Sequence, residues 1–395
     1  MRYTQHTMRF VWMVIVAWSG FAAEAWVPLF NGKNLDEFEI RSGKASYRLE
    51  NGEIVGTTVE GSPNTFLCTR KSYGDFLLEF EVKVDPRLNS GVQVRSHAYD
   101  TAVGRHHPGR VYGYQVEIAS ERSGASGGIY DEARRGWVHN TSSDAECKGA
   151  FKDNQWNQYL VEARGDRIRT WVNHVPCADL VDSEDLEGFI GLQVHSFKGD
   201  SPAEVRWRNL RIAELGRHQW RRIFDGRTLS GWKKDGGGDW AIVDGAVKGT
   251  HGPGAGQRGF LMSEAEYSNV TVRLDYKVVK GNSGFFFRMG APPAMGYEVE
   301  VDPTRDVGGL QHPGKRGWLV HTGPVAETPH YKVGEWNRMT VSAHGRRVVV
   351  HVNGMKMSEV RNDPGPLEGR FALQLNPRNE LEVYYKDIEI LEKVQ

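Results

Sequence analysis

Apolar and polar positions alternate along most of this chain. Phe76–Val84 reads FLLEFEVKV, and the same period of two recurs in Gly91–Ser96, Tyr114–Ile118, Arg167–Asn173, Phe189–Ser196 and Val205–Ile212. It returns in Val270–Val279, Gly284–Met289, Met339–Ala343, Arg347–Gly354 and Leu381–Ile390. A period of two predicts strands with one face in a core and the other toward solvent or ligand. No long stretch carries the helical period. Many short strands between Gly, Asp and Asn turns predict an all-β sandwich or jelly roll.

The strands come in two sets. WVPLFNGKNLDEF (Trp26–Phe38) returns as WRRIFDGRTLSGW (Trp220–Trp232), and NSGVQVR (Asn89–Arg95) returns as NSGFFFR (Asn282–Arg288). GYQVEI (Gly113–Ile118) returns as GYEVEV (Gly296–Val301). WNQYLVEARGDRIRTWVNH (Trp156–His174) returns as WNRMTVSAHGRRVVVHVNG (Trp336–Gly354), and GFIGLQVHS (Gly188–Ser196) as GRFALQLNP (Gly369–Pro377). The order never breaks, so the chain is a tandem duplication, copy 1 over 26–215 and copy 2 over 220–393. Copy 1 has a longer loop at Ser96–Tyr112, and the link around Gly216–Gln219 is short.

Alternation also sorts side chains by face. In copy 1 it places Gln93, Arg95, Gln115, Glu117, Gln193 and His195 on the polar side. Amide, guanidinium and carboxylate groups are what hold sugar hydroxyls, whereas a plain solvated sheet face would need none of them together. Ser123–Trp137 adds Tyr130 and Trp137 in a glycine-rich loop suited to a stacking rim. Copy 2 offers Arg288, Glu298, Glu300, Gln374 and Asn376, with Phe286 where copy 1 has Gln93 and Asn376 where it has His195. Glu298, Glu300 and Asp302 share one strand face, so neighbours in that row stand roughly 6.5–7 Å apart.

Composition narrows the field. Lys+Arg and Asp+Glu are 50 each, which gives no electrostatic footprint for nucleic acid or an anionic membrane. Arg2 and Arg9 precede an apolar run at Phe10–Ala23, and Ala23–Glu24–Ala25 supplies small residues for cleavage before Trp26. Residues 1–25 therefore read as a secretory signal, or as a retained anchor, and the protein as exported to the periplasm or beyond the cell. No other segment is apolar enough to span a bilayer. Of the three cysteines, Cys68 and Cys177 lie in strand-like runs and read as small buried hydrophobes; one bridge among the three is possible, with no connectivity readable. His97, His106 and His107 read as surface histidines, because no third ligand holds metal spacing. No cofactor is expected and no metal ligand is assigned, a divalent cation being left open.

PLFNGKNLDEF, NSGFFFR, GYQVEI, WNQYLVEARGDRIRTWVNH and GFIGLQVHS followed by VRWRNLRI together resemble the 3-keto-disaccharide hydrolase domain family, over Trp26–Leu215 and again over Trp220–Glu392. The resemblance implies two tandem concanavalin A-like jelly-roll domains and a carbohydrate partner, a glycoside oxidised at C3. A 3-keto group acidifies C2–H, so a single base can start cleavage by elimination, where ordinary glycosidases need two carboxylates. His195 is the expected base or acid, Glu117 its partner, and Arg95 the stabiliser of developing negative charge. Gln93, Gln115, Gln193, Tyr130 and Trp137 are expected to bind the sugar. Copy 2, lacking the histidine, is expected to hold sugar. Two rival readings are a lectin-like protein without catalysis, and a conventional glucanase using the carboxylates of copy 2.

Overall fold

A computed structural model describes residues 25–199, 202–253, 256–290, 295–377 and 380–394. The signal reading falls on residues outside this set, save for Ala25. Among the described residues no helix is long and apolar enough to cross a membrane.

The chain is built from antiparallel strands, with one α-helical turn at Ala145–Lys148. Each copy has a seven-stranded front sheet. In copy 1 its spatial order runs Gly136–His139, Ile129–Glu132, Val111–Ile118, Ser90–Ala98, Phe189–Val194, Thr65–Thr69, Phe38–Arg41. Copy 2 builds its counterpart around Tyr297–Val301, Ser283–Met289, Gly369–Leu375 and Gly259–Tyr267. The inward faces behave as alternation predicts. Phe76, Leu78, Phe80, Val82, Val92, Val116, Ile190 and Leu192 share one core, while Leu274, Phe285, Val299, Phe371 and Leu373 share a second. Each core is closed by the back sheet of its own copy.

The two back sheets are one. The link expected as a short connection is the middle of a single strand, Glu204–Arg222. Its first half pairs with Asp75–Val84 and its second with Leu381–Val394. The exchange of partner happens at Gly216, which pairs with Asp75 while Arg217 already pairs with Val394. Gly216 has φ +95°, a conformation that costs glycine little and other residues much. Contacts beyond the shared strand also join the copies. Asp166 accepts from Thr271 Oγ1 at 2.6 Å and Ser342 Oγ at 2.5 Å, and Arg347 Nη1 donates to Asp179 Oδ1 at 2.9 Å. A cavity of about 570 Å³ lies between the copies. Part of its polar lining is already matched: Arg167 and Arg347 pair with Asp179, and His218 Nδ1 meets Asp75 Oδ2 at 2.6 Å.

Cys147 and Cys177 form a disulfide, and Cys68 is free and buried. Cys177 is thus no inert core residue. A strand-like run conceals the pairing, because the partner arrives from the helical turn that packs against Val175–Val181.

Candidate functional site

The front sheet of copy 1 carries a groove of about 370 Å³. Its floor is the Val111–Ile118 strand, which presents Gln115 and Glu117. Gly91 lies opposite Glu117 on the neighbouring strand. A Cβ on Gly91 would stand 2.5 Å from Gln115 Cδ, so the glycine of the NSG motif makes room for the groove's own side chains.

A chain of amides ends on Glu117. Ser96 Oγ donates to Gln93 Oε1 at 2.6 Å, Gln93 Nε2 to Gln115 Oε1 at 2.9 Å, and Gln115 Nε2 to Glu117 Oε2 at 3.0 Å. Asn89 Nδ2 donates to Glu117 Oε1 at 2.5 Å. Burial pushes the Glu117 carboxyl above its ordinary range, against the pull of these amides and of His195. His195 stands just past the strand end and lines the same cavity. Its Nδ1 meets Ser196 O at 2.8 Å, which assigns the proton to Nδ1 and leaves Nε2 as the accepting nitrogen. Tyr130 and Trp137 form the wall. They are cross-strand partners with rings edge to face, centroids 5.3 Å apart, and Trp137 is exposed.

Copy 2 has a groove of about 430 Å³ at the same place. Asn282, Glu298, Glu300, Gln311, Trp318, Gln374 and Asn376 stand where copy 1 has Asn89, Gln115, Glu117, Tyr130, Trp137, Gln193 and His195. The chemistry differs beneath it. Phe286 replaces Gln93 and joins Phe260, Met262, Met289 and Ala372 in an apolar cluster, so the buried amide that continues the chain below Gln115 in copy 1 is missing, and the carboxylates meet amides of the groove itself, such as Gln311 and Asn282. Burial and Glu300 push Glu298 up to about 8. Burial and Asp302 push Glu300 up to about 7, although Gln311 Nε2 donates to it at 2.8 Å.

The profile of the 3-keto-α-glucoside-1,2-lyase-like domain matches residues 25–213 and 219–391. The chain belongs to this family. Three solved structures are similar to part of the chain at low identity. A presumptive glycosyl hydrolase from Parabacteroides distasonis is 15% identical, with 48% of this chain and 94% of that one covered and a TM-score of 0.34. The carbohydrate-binding module CBM66 from Bacillus subtilis is 19% identical, with coverage of 40% and 93% and a TM-score of 0.33. A β-glucanase from Bacillus licheniformis is 13% identical, with coverage of 49% and 99% and a TM-score of 0.34. No curated protein matches the chain.

Four residues expected in the grooves of this family member lie elsewhere. Arg95 is fully buried on the far side of its strand, donating to Gly74 O at 2.8 Å, Gly165 O at 2.6 Å and Asp75 Oδ1 at 2.9 Å. A bulge explains it. The register slips between Gln93 and His97, and Arg95 takes φ +49°, so the parity that puts Gln93 on the polar side is reversed two residues later. Arg288 repeats this at φ +50°, donating to Gly345 O at 2.9 Å and Ala343 O at 3.0 Å. Both arginines tie down turns of the back sheet and face no ligand. Gln93 and Gln193 are fully buried as well. Gln93 supports Gln115 from below, and among the described residues neither amide atom of Gln193 has a hydrogen-bond partner.

Other lining residues escaped the sequence reading. Asn89 was visible in the repeated NSG motif, whereas Arg105, His106 and Arg110 come from the longer loop, where alternation assigns no face. Arg110 pairs with Glu132, and Arg134 with Asp131 and Asp185. Of the histidines read as surface residues, His106 lines the groove and stacks on Tyr99, while His97 tilts against Tyr112. Among the described residues no three His, Cys, Asp or Glu side chains are grouped as a metal site.

Proposed function

We propose that copy 1 cleaves the glycosidic bond of 3-keto-glycosides by elimination, with hydration completing a net hydrolysis. The observation that carries this reading is the pairing of a buried, amide-held carboxylate, Glu117, with a histidine on the same groove whose Nε2 is left to accept a proton. In the proposed step one of these groups takes the C2 proton, and the C2–H electron pair forms the C1–C2 double bond as the C1–O bond breaks. The departing oxygen takes a proton, and water then adds at C1. His195 is the transferring group, and Glu117 holds a hydroxyl or shares the proton. The stabilisation first assigned to Arg95 passes to Arg105 and Arg110, which do line the cavity. Tyr130 and Trp137 supply the stacking wall.

Copy 2 is proposed as a sugar-holding domain, since Asn376 can donate and accept hydrogen bonds but has no titrating proton near neutral pH. Export remains the proposed location, and the Cys147–Cys177 disulfide supports an oxidising compartment. The test is incubation of the full chain with the 3-keto derivatives of p-nitrophenyl α- and β-glucoside and with their unoxidised parents. Release of nitrophenol from a keto substrate alone, lost in His195→Ala, is the expected result. Cleavage of the unoxidised parents, lost in Glu300→Gln, would favour the glucanase reading instead.

A further inference from the structure

The wall of the copy 1 groove is held from outside its own copy. Arg134 and Arg135 sit in the turn between the paired strands that carry Tyr130 and Trp137. Arg134 lines the groove, while Arg135 points the other way. Arg135 is bound to Asp131, to Asp182 Oδ2 at 2.9 Å, and to the Gly354 carbonyl of copy 2 at 2.7 Å. Asp182 also takes the Tyr114 hydroxyl, and His351 of copy 2 stands 3.8 Å from it. One guanidinium therefore ties together the groove turn, the copy 1 core and the second copy.

Copy 2 has the same knot without the outside hand. Arg316 donates to Asp363 Oδ2 at 2.6 Å and Oδ1 at 2.8 Å, Tyr297 bonds the same carboxylate, and all of Arg316's bonds stay within copy 2. The counterpart of Gly354 in copy 1 is His174. Among the described residues the grip is thus seen from one side: Gly354 of copy 2 holds the groove turn of copy 1 through Arg135, while the bonds of Arg316 run to residues of copy 2. A duplicated domain that had lost its proton-transfer residue and served only as ballast would not require this asymmetry.

We infer that copy 2 acts as a brace for the copy 1 groove, with Arg135 the positioning residue through which its Gly354 carbonyl fixes the turn between Tyr130 and Trp137. The activity half of this inference rests on the proposed reading of copy 1; the mechanical half does not. Gly354 has φ +76°, and a Cβ there would meet Glu184 Oε2 at 3.1 Å, so Gly354→Val displaces the accepting carbonyl without altering any groove residue.

The test uses the full chain with Gly354→Val, Arg135→Gln and Arg135→Lys. The control is Gly245→Val, another left-handed turn position of copy 2 with open space around it. Limited trypsin digestion reads the turn directly, because Arg134 and Arg135 are largely buried and are cut only when it opens. A lost charge-assisted bond predicts cleavage at Arg134 about ten-fold faster in Gly354→Val than in wild type or control. On the p-nitrophenyl 3-keto-glucosides, KM should rise about ten-fold in Gly354→Val and Arg135→Gln with kcat within about two-fold, and Arg135→Lys should recover part of it. Unchanged cleavage overturns the brace. Faster cleavage with unchanged KM overturns its service to the groove. If the wild-type chain turns over neither keto probe, the activity reading fails by itself, and the brace is judged on the cleavage rate.

Discussion

Asn89 donates its amide to Glu117 Oε1 at 2.5 Å, from the residue just before the strand that neighbours the one carrying the carboxylate. With Gln115 on the other oxygen, Glu117 keeps two donors in a site whose burial disfavours its charge. The balance makes a signed prediction. Each donor stabilises the ionised form, so Asn89→Ala or Gln115→Leu should raise the Glu117 pKa further. Where turnover needs the carboxylate, the acid limb of the pH profile of kcat/KM moves to higher pH. An acid limb that stays put in both variants would remove Glu117 from the proposed role.

Arg95 gives a different kind of signature. It and Asp75 are both essentially unexposed, and Asp75 also accepts the Gly165 N–H at 2.9 Å and meets His218 Nδ1 at 2.6 Å. Removing the arginine leaves a buried carboxylate short of its partner, so Arg95→Met should cost about 3–5 kcal/mol of stability. The effect should appear in denaturant midpoints, with KM close to wild type in the protein that remains folded. Burial alone would raise Asp75, yet His218, the Gly165 N–H and Arg95 together hold it below its ordinary value. Its contribution is therefore present at neutral pH and lost as pH falls below about 4, through the folded pKa. In wild type the acid side of the stability curve should steepen there, and Asp75→Asn should flatten it.

The strands, the duplication and half the groove were legible because a period of two is a direct record of facing. Gln115, Glu117 and His195 are on the cavity as their parity requires, and Tyr130 and Trp137 flank it, though on paired strands instead of a loop. Arg95 and Arg288 failed for a physical reason. One inserted residue reverses the parity of all that follows in its vicinity, and an arginine in a left-handed bulge has no composition of its own. The continuous Glu204–Arg222 strand was hidden similarly, since a glycine between two polar runs reads as a turn until its second partner strand is known.

Glu298 and Glu300 predict that copy 2 weakens as pH rises through neutrality. A carboxyl whose folded pKa is raised binds its proton more tightly in the folded state, so its contribution is complete below the unfolded value near 4.3 and declines as pH rises toward the folded one. With Glu298 at about 8 and Glu300 at about 7, the decline spans roughly pH 5 to 8. Glu298→Gln, which mimics the protonated state, should be near neutral at pH 5 and stabilising by on the order of a few kcal/mol at pH 8. Thermal melts of wild type and variant at the two pH values decide it. Equal melting shifts at both would mean that Glu298 is not protonated in the folded protein.

The exchange of His195 for Asn376 between the copies is the sharpest test of which groove reacts. Both side chains stand just past the end of the same strand and line their cavities. Asparagine has hydrogen-bonding reach similar to the imidazole's, so His195→Asn removes proton transfer while keeping a polar group at the rim. The expected outcome is a fall in kcat of about 10²–10⁴-fold with KM changed little, the range typical of a lost general acid or base. The reciprocal Asn376→His should not create activity, because Phe286 removes the buried amide from beneath the copy 2 groove and Gln311 takes the place of Tyr130. Turnover gained by Asn376→His, or kcat retained in His195→Asn, would show that the histidine is not what separates the two grooves.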